Sequence, residues 1–410
     1  MQTQVNSSNK AVFWIILIAA LGYFVDIYDL ILFSIIRIKS LRGIGITNAA
    51  ELTNKGLLLL NLQMAGMLIG GFIWGVIGDK KGRLTVLFGS ILTYSLANVL
   101  NGFVHDIYTF GALRFIAGLG LAGELGAGIT LVSETMSKEN RGFGTMLVAG
   151  VGLMGATVAY FVSSKFDWRI SFFVGGGLGF ILLLMRIGVV ESGMFTKSAH
   201  AEVQKGSLKM LFGSSTRLKR YIFCFCTALP LWFMVGILIT LGPEFGKALH
   251  INGIVDAGKG ILFTYLGITL GDILTGLLSQ LLKSRKKVLA IFLAFTLTGF
   301  LIYLFAYHVN LSTYYTICFF MGVSTGFWVI FITLASEQFG TNLRATVTTS
   351  IPNVIRGSVI PITYAFTLLK NFMPIQSAAL IIGLITIALA YFGLSRLDET
   401  FGKDLDYLEN

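Results

Sequence analysis

Long blocks of apolar residues recur along this chain and constrain its fold more than any other feature. They reach the roughly 20 residues that an α-helix needs to cross a bilayer. Only 12% of the 410 residues are charged, whereas a soluble domain usually carries about 25%. The sequence therefore predicts an all-α integral membrane protein. Twelve candidate transmembrane helices lie near residues 12–36, 56–77, 84–104, 108–135, 142–164, 169–190, 221–243, 260–282, 287–308, 312–338, 345–369 and 373–395.

The longest polar break between these helices follows the sixth one and divides the twelve into two equal sets. We expect an N-terminal six-helix bundle at residues 1–190, a cytoplasmic linker at 191–220, and a C-terminal six-helix bundle at 221–410. With both termini inside, most of the 31 lysines and arginines fall in cytoplasmic segments, as the positive-inside rule requires. The net charge of +11 then reflects topology, and no nucleic-acid partner is expected.

The two predicted halves share a motif. The stretch LVSETMSKENRGFGTML realigns with LASEQFGTNLRATVTTS, at the same point of each six-helix set. At a single offset, Ser133, Glu134, Arg141 and Thr145 match Ser336, Glu337, Arg344 and Thr348. Two parallel six-helix repeats with a site between them near the membrane midplane are an architecture of secondary transporters. The repeat therefore favours a transporter over a membrane enzyme or a receptor.

Several short motifs resemble the major facilitator superfamily. They are GDKKGR after the second helix, RFIAGLGLAGE in the fourth, and ETFGKDLDYLE near the C-terminus. The YD, GE and ET-x-GK elements are most similar to its sugar-porter, phosphate-symporter and organic-acid-symporter branches. This resemblance implies two pseudo-symmetric six-helix bundles and transport by alternating access. The corresponding loop of the second half, QLLKSRKK, has cations but no aspartate, so we expect a weaker gating network there.

The GDKKGR motif has two interpretations. One is a solvated positive-inside loop, which accounts for Lys80 and Lys81. The other, which the resemblance implies, is a cytoplasmic latch. In it Asp79 caps the third helix or meets a cation, and Arg83 reaches Glu134 or the end of the eleventh helix. The expected latch residues are Gly78, Asp79, Gly82, Arg83, Glu134, Arg141, Glu191, Glu337, Arg344 and Glu399.

Charged residues at bilayer depth are expensive and usually functional. Asp26 and Asp29 lie three residues apart in the first helix and so share a helical face. Asp29 lies at a depth compatible with Arg114 of the fourth helix. An aspartate that pairs with this arginine when deprotonated, and releases it when protonated, is a proton switch. Asp29 is the first candidate for this role, and Asp26 is the second. A static structural pair is the alternative. Glu124 is a second proton site, a substrate hydrogen-bond acceptor or part of another structural pair.

The predicted boundaries place only two arginines at bilayer depth, Arg114 and Arg356. Arg356 lies at a depth similar to that of Asp272. Either the two neutralise one another, or Arg356 binds an anionic group of the substrate through its planar fork. Trp328, in the tenth helix, either stacks on a substrate ring or packs against its neighbours.

Few amides lie at bilayer depth, and this shortage favours an organic acid or a zwitterion over a sugar. Gln63 and Asn353 are the amide candidates for substrate binding. We expect a proton-coupled symporter that imports a small polar metabolite. We further expect a monomer in the lipid bilayer of a bacterial inner membrane, with both termini cytoplasmic. A sugar or polyol proton symporter, a proton-coupled exporter and an uncoupled facilitator are the alternatives.

The sequence predicts neither a metal nor a cofactor. The three cysteines, Cys224, Cys226 and Cys318, lie inside apolar runs, which supports neither a disulfide framework nor a zinc site. No cluster of histidines, cysteines or paired carboxylates has the spacing of a catalytic motif. An enzyme is therefore not expected.

Overall fold

The computed structural model of the protein describes residues 9–81, 83–124, 126, 141–191, 208–403 and 409, and no β-strand occurs among them. The first half contains α1 (Asn9–Gly43), α2 (Ala49–Lys81), α3 (Arg83–Asn101), α4 (Ile107–Leu121), α5 (Arg141–Lys165) and α6 (Trp168–Glu191). The second half contains α7 (Leu208–Phe212), α8 (Ser215–Thr227), α9 (Leu229–Phe233), α10 (Gly242–Ala248), α11 (Ala257–Leu281), α12 (Arg285–Leu304), α13 (Leu311–Thr325), α14 (Trp328–Glu337), α15 (Thr341–Gly357), α16 (Val359–Lys370) and α17 (Ile375–Arg396). A π-helix, Met234–Ile239, follows α9. The all-α prediction is confirmed.

Eight spans in the described part of the chain are long and apolar enough to cross a bilayer. A ninth is formed by α8 and α9 with the π-helix, which meet at a bend of 44°. Shorter apolar helices α3 and α4 occupy two further predicted spans, and α15 with α16 covers the eleventh. The predicted arrangement of twelve transmembrane helices therefore agrees with the described helices.

The same close helix contact recurs in both halves. A Cβ atom on Gly118 of α4 would collide with the carbonyl oxygen of Gln63 on α2. A Cβ atom on Gly322 of α13 would collide with the carbonyl oxygen of Thr264 on α11. Small residues let helix backbones touch in a membrane, where van der Waals packing replaces the hydrophobic effect as the driving force. The glycines of these helices thus fix how closely the second and fourth spans of each half approach.

Three spans of the second half are interrupted, namely the seventh, the tenth and the eleventh. The seventh span breaks at Ala228, just before Pro230. The tenth breaks at Gly326, and the eleventh breaks at Ser358 after a helix that contains Pro352. Proline removes an amide donor and clashes with the preceding turn. In secondary transporters, interrupted helices expose backbone groups that bind substrates and ions.

Candidate functional site

One buried ion pair joins the two halves of the protein. Nη2 of Arg356, in the last turn of α15, lies 3.3 Å from Oδ2 of Asp26 on α1. The two side chains are 1% and 0% exposed. We call Asp26 and Arg356 the central pair. Buried charges of this kind are tolerated because each compensates the other, so a change in the charge of Asp26 acts directly on Arg356.

Asp272 is not the ion-pair partner of Arg356, although the similar depth of the two residues suggested that pairing. Its Oδ1 accepts a hydrogen bond of 3.2 Å from the amide of Val329, in the first turn of α14. The carboxylate thereby accepts from one of the unpaired backbone N–H groups at the N-terminus of α14, where the second helix of the tenth span begins. Its Oδ2 has no hydrogen-bond partner among the groups that the structure describes.

Aromatic side chains surround the central pair. The guanidinium of Arg356 lies over the ring of Trp232, 5.6 Å from its centroid. The rings of Trp232 and Trp328 are buried and lie 6.3 Å apart at an angle of 72°. Tyr23 lies within electrostatic range of both members of the central pair. Trp328 was a predicted site residue and Trp232 was not, although the proline two residues before Trp232, in the stretch LPLW, indicated an interrupted span.

Asp29 and Arg114 are both buried, but they do not form the expected contact ion pair. The guanidinium of Arg114 lies over the rings of Phe33 and Phe172, at 5.3 and 5.5 Å from their centroids. Within the described ranges, neither the Asp29 oxygens nor the Arg114 nitrogens have a hydrogen-bond partner. The two charges are within electrostatic range of one another. A cation–π contact stabilises a guanidinium without neutralising it, so the two charges stand apart in this conformation.

Glu124 forms an ion pair within the first half. Its carboxylate oxygens lie 2.8 and 3.2 Å from the guanidinium nitrogens of Arg186 on α6. Ser90 on α3 donates a hydrogen bond of 2.7 Å to the same carboxylate. Gly22 of α1 packs against this pair, since a Cβ atom there would lie 3.0 Å from Oε2 of Glu124. Among the three interpretations of Glu124, these are the contacts of a structural pair.

The two candidate amides have different surroundings. Asn353 on α15 donates hydrogen bonds to the carbonyl oxygens of Ala122 at 2.8 Å and of Thr349 at 3.1 Å. It therefore connects the end of α4 to the second half. Gln63 on α2 is fully buried, and neither polar atom of its amide has a partner in the part of the chain that the structure describes. Gln63 thus retains unused hydrogen-bonding capacity.

A second ion pair joins the halves where α1 leads into α2. Nη2 of Arg37 lies 2.6 and 2.9 Å from the carboxylate oxygens of Glu244 on α10. Arg37 also donates to the backbone carbonyl of Thr240 at 3.3 Å. In the predicted orientation this is the outer end of the bundle. We call the group the outer cluster, and two further hydrogen bonds complete it, Thr53–Glu244 at 3.2 Å and Thr240–Ser34 at 3.1 Å.

The outer cluster was not predicted, because the predicted first and seventh helices ended too early. The first helix was predicted to end one residue before Arg37, and the seventh one residue before Glu244. In the structure α1 continues to Gly43, and α10 carries the seventh span to Ala248. The expectation of two arginines at bilayer depth missed Arg37 for the same reason, whereas Arg186 lies inside the predicted sixth helix, 169–190, and was not counted. Four arginines in the described ranges are buried, namely Arg37, Arg114, Arg186 and Arg356.

The predicted latch of the first half is described only in part. Gly82 and Glu134 lie outside the described residues. Five other latch residues lie in helices, but the structure describes only their backbone: Gly78, Asp79, Arg83, Arg141 and Glu191. The first-half latch stays a prediction. Arg344 lies near the start of α15.

In the second half, carboxylates from distant segments meet the loop that has no aspartate. Glu337 binds the guanidinium of Arg285 at 2.5 and 2.7 Å. Glu399 accepts hydrogen bonds from the hydroxyl of Ser284 and from the amides of Arg285 and Lys286. It therefore caps α12 in place of the missing aspartate. Burial acts to raise the pKa of Glu399, but these hydrogen bonds outweigh it and lower the pKa to about 2. This loop therefore has an ion-pair network without an aspartate, and the expectation that it is weaker than the one in the first half stays a prediction.

Helix α1 connects these charged sites. Gly22 packs against the Glu124 pair, Asp26 belongs to the central pair, and Arg37 belongs to the outer cluster. The first contact lies within one half, whereas the other two cross between the halves. Separation of α1 from the second half at either of these two sites must therefore break the ion pair at that site, while the Glu124 pair moves with its own half.

Comparison with known proteins gives a family and several relatives. The family model of the Major Facilitator Superfamily matches residues 12–361. A gentisate transporter of Corynebacterium glutamicum is 24% identical over 396 residues, which cover 92% of this chain and 86% of that protein. A cis,cis-muconate transport protein of Acinetobacter baylyi is 26% identical, over 95% of this chain and 94% of that protein. A niacin transporter of Acinetobacter baylyi is 38% identical over 122 residues, which cover 29% of this chain and 28% of that protein.

A solved structure shares the fold. The proton:xylose symporter XylE superposes with a TM-score of 0.70 over 97% of this chain and 98% of that one. The two sequences are only 16% identical, so the likeness concerns the fold alone.

Proposed function

This chain belongs to the Major Facilitator Superfamily, and we propose that it imports a small organic carboxylate together with a proton. The central pair carries this proposal, because a buried arginine that has one carboxylate partner among the described residues joins the two halves. Guanidinium presents a planar fork that matches a carboxylate. The relatives named for gentisate and cis,cis-muconate support the choice of an organic anion.

Coupling follows from the charge balance of the central pair. Deprotonated Asp26 neutralises Arg356, and a proton on Asp26 removes that interaction. The released guanidinium then binds the carboxylate of the substrate. Proton alone would leave Arg356 uncompensated, and substrate alone would place two anions beside one cation. Both partial states are costly in a buried site, so proton and substrate travel together.

The outer cluster supplies the closure that alternating access requires. With Arg37 bound to Glu244, the outer ends of α1 and of the seventh span stay together. Outward opening breaks this pair, and inward opening leaves it intact. In the orientation that the lysines and arginines favour, with both termini cytoplasmic, the substrate enters at this end. We place the protein in a bacterial inner membrane as a monomer.

Asp29 is the second candidate for the coupling carboxylate. It is buried and within electrostatic range of Arg114. Asp26 is preferred because its carboxylate directly contacts the arginine that we assign to the substrate. Under this assignment Asp29 and Arg114 adjust the charge of the site without carrying the transported proton.

A sugar or polyol proton symporter is the alternative that Gln63 favours, because a buried amide with unused hydrogen-bonding capacity suits hydroxyl groups. Uptake by the purified full-length protein in liposomes separates the two functions. We expect accumulation of labelled benzoate or gentisate only when the exterior is more acidic than the interior. Accumulation of xylose without accumulation of either acid would replace the proposal with the sugar alternative. Carboxylate uptake that is insensitive to the proton gradient would remove the coupling.

A further inference from the structure

We infer that Trp232 and Trp328 form a ring-binding surface beside Arg356, so the substrate is a planar, ring-bearing carboxylate. This inference rests on the proposed function and narrows it. It goes beyond an anion site, because Arg356 alone does not distinguish a ring acid from an aliphatic one. The distinction must come from the side chains that border the guanidinium.

Both tryptophans lie where a span is interrupted. Trp232 follows Pro230 in the five-residue helix α9, and Trp328 is the first residue of α14, after the break at Gly326. The two indoles are buried, although they belong to helices that are separate in sequence. Interrupted helices form the substrate sites of many secondary transporters. The two breaks therefore bring large aromatic surfaces to one place beside the central pair.

The ring geometry suits a third aromatic ring. The indole planes are 72° apart, with centroids at 6.3 Å. Aromatic rings prefer edge-to-face or offset-stacked contacts with centroids at about 4.5–7 Å. A planar ring that packs against both indoles contacts the face of one and the edge of the other. An aliphatic chain in the same place is stabilised only by burial of its apolar surface, because it has no quadrupole to interact with the indoles.

Arg356 fixes how such a ring is placed. Its guanidinium already lies 5.6 Å from the centroid of Trp232. Its Nη2 contacts Asp26, whereas Nε has no hydrogen-bond partner among the described residues. A substrate carboxylate that accepts from the Nε edge lies beside the indole. When the carboxyl group is bonded directly to a ring, that ring is held against Trp232.

The indole N–H of Trp232 can donate a hydrogen bond to a polar substituent on the ring. Nε1 of Trp232 is buried and has no hydrogen-bond partner within the described part of the chain. A buried N–H that stays unpaired costs free energy, and a hydroxyl oxygen or a ring nitrogen of the ligand satisfies it. The chemical class is therefore a hydroxylated or nitrogen-containing aromatic carboxylate.

Binding to the purified full-length protein tests this inference with two acids of similar size. 3-Hydroxybenzoate has a planar ring with an acceptor, and 3-hydroxycyclohexanecarboxylate has the same groups on a non-planar ring. We expect the wild type to bind the aromatic acid at least about tenfold more tightly, from two aromatic contacts and their complementary geometry. Trp232→Leu and Trp328→Leu should each weaken aromatic binding by roughly 2- to 10-fold and change binding of the saturated acid far less.

Trp14→Leu is the matched control, because Trp14 is exposed on α1 and far along the helix from Asp26. It should change neither affinity. If a leucine variant fails to fold, Trp328→Phe keeps an aromatic ring and should retain most of the preference. Equal wild-type affinities for the two acids would overturn the ring surface while leaving the proposed carboxylate transport intact. Binding of neither acid would overturn both proposals.

Discussion

Arg37 on α1 and Glu244 on α10 form an ion pair in which one nitrogen, Nη2 of the arginine, lies 2.6 and 2.9 Å from the two carboxylate oxygens. The arginine is 1% exposed and the glutamate 20% exposed. The pair crosses between the two halves at one end of the bundle. Removing one partner of a buried pair leaves an uncompensated charge, so the contact holds the halves together only while both members are present.

Loss of this pair should shift the protein towards an outward-open state. In a chain whose three cysteines are replaced by alanine, Ser34→Cys reports opening, because Ser34 is buried beside Thr240. We expect Glu244→Gln to increase labelling by a membrane-impermeant thiol reagent about tenfold, which corresponds to about 1.4 kcal/mol of conformational bias. Glu51→Gln, which breaks the exposed Lys55 pair at the same end, is the control and should leave labelling unchanged.

A charge exchange checks that electrostatics causes the effect. Arg37→Glu combined with Glu244→Arg should return labelling towards that of the parent. If Glu244→Gln leaves the labelling rate unchanged, the outer cluster has no part in closing the pathway.

Asp26→Asn should uncouple transport from the proton gradient. The neutral amide cannot titrate, and it leaves Arg356 released at every pH. Carboxylate binding and exchange across the membrane should persist, whereas accumulation driven by an acidic exterior should disappear. Asp29→Asn is the matched comparison on the same helix and should retain accumulation. If Asp29→Asn abolishes accumulation and Asp26→Asn does not, the coupling role belongs to Asp29 and Arg114.

Arg356→Lys should weaken carboxylate binding by roughly tenfold or more while the protein stays folded. The lysine keeps the charge opposite Asp26 but loses the planar fork and the Nε donor. Arg356→Ala should be less stable, because Asp26 is then buried without its cation. Adding Asp26→Asn should restore the stability but not the binding. Restored carboxylate transport in that double variant would exclude Arg356 as the substrate anchor.

Glu124 and Arg186 should matter for stability more than for coupling. Arg186→Met leaves Glu124 as an uncompensated charge and should lower the free energy of unfolding by about 3–5 kcal/mol. Combining it with Glu124→Gln should recover much of that loss. Thermal unfolding in detergent measures both effects. A fully stable Arg186→Met variant with altered pH dependence of uptake would instead place Glu124 on the proton pathway.

The Glu399 cap should make the second half sensitive to acid. Its pKa is lowered from an ordinary 4.5 to about 2 in the folded protein, so it favours the folded state above pH 4.5. This contribution declines as pH falls from 4.5 towards 2, because the unfolded chain then binds the proton more readily. Glu399→Gln should lower the unfolding temperature at pH 6 and flatten its decline across that window. An unchanged decline would assign the acid sensitivity to other carboxylates.

The sequence by itself determined the membrane-spanning class, the repeat between the halves and the family. These depend on apolar runs and on motifs that stay contiguous along the chain, so no tertiary contact is needed to recognise them. It also singled out Asp26, Asp29, Glu124 and Arg356, because a charge inside an apolar block is conspicuous wherever the block folds.

Only the tertiary structure decided which of these charges meet. Residue number gives the depth of a side chain along its helix, but not the direction in which it points or which helix lies opposite. Depth along the helices therefore suggested Asp272 as the ion-pair partner of Arg356, whereas packing placed Asp26 there. Glu399 reaches α12 from beyond the last helix, and Arg37 meets Glu244 across the two halves. Such contacts join segments far apart in the chain, and the way the helices pack sets them.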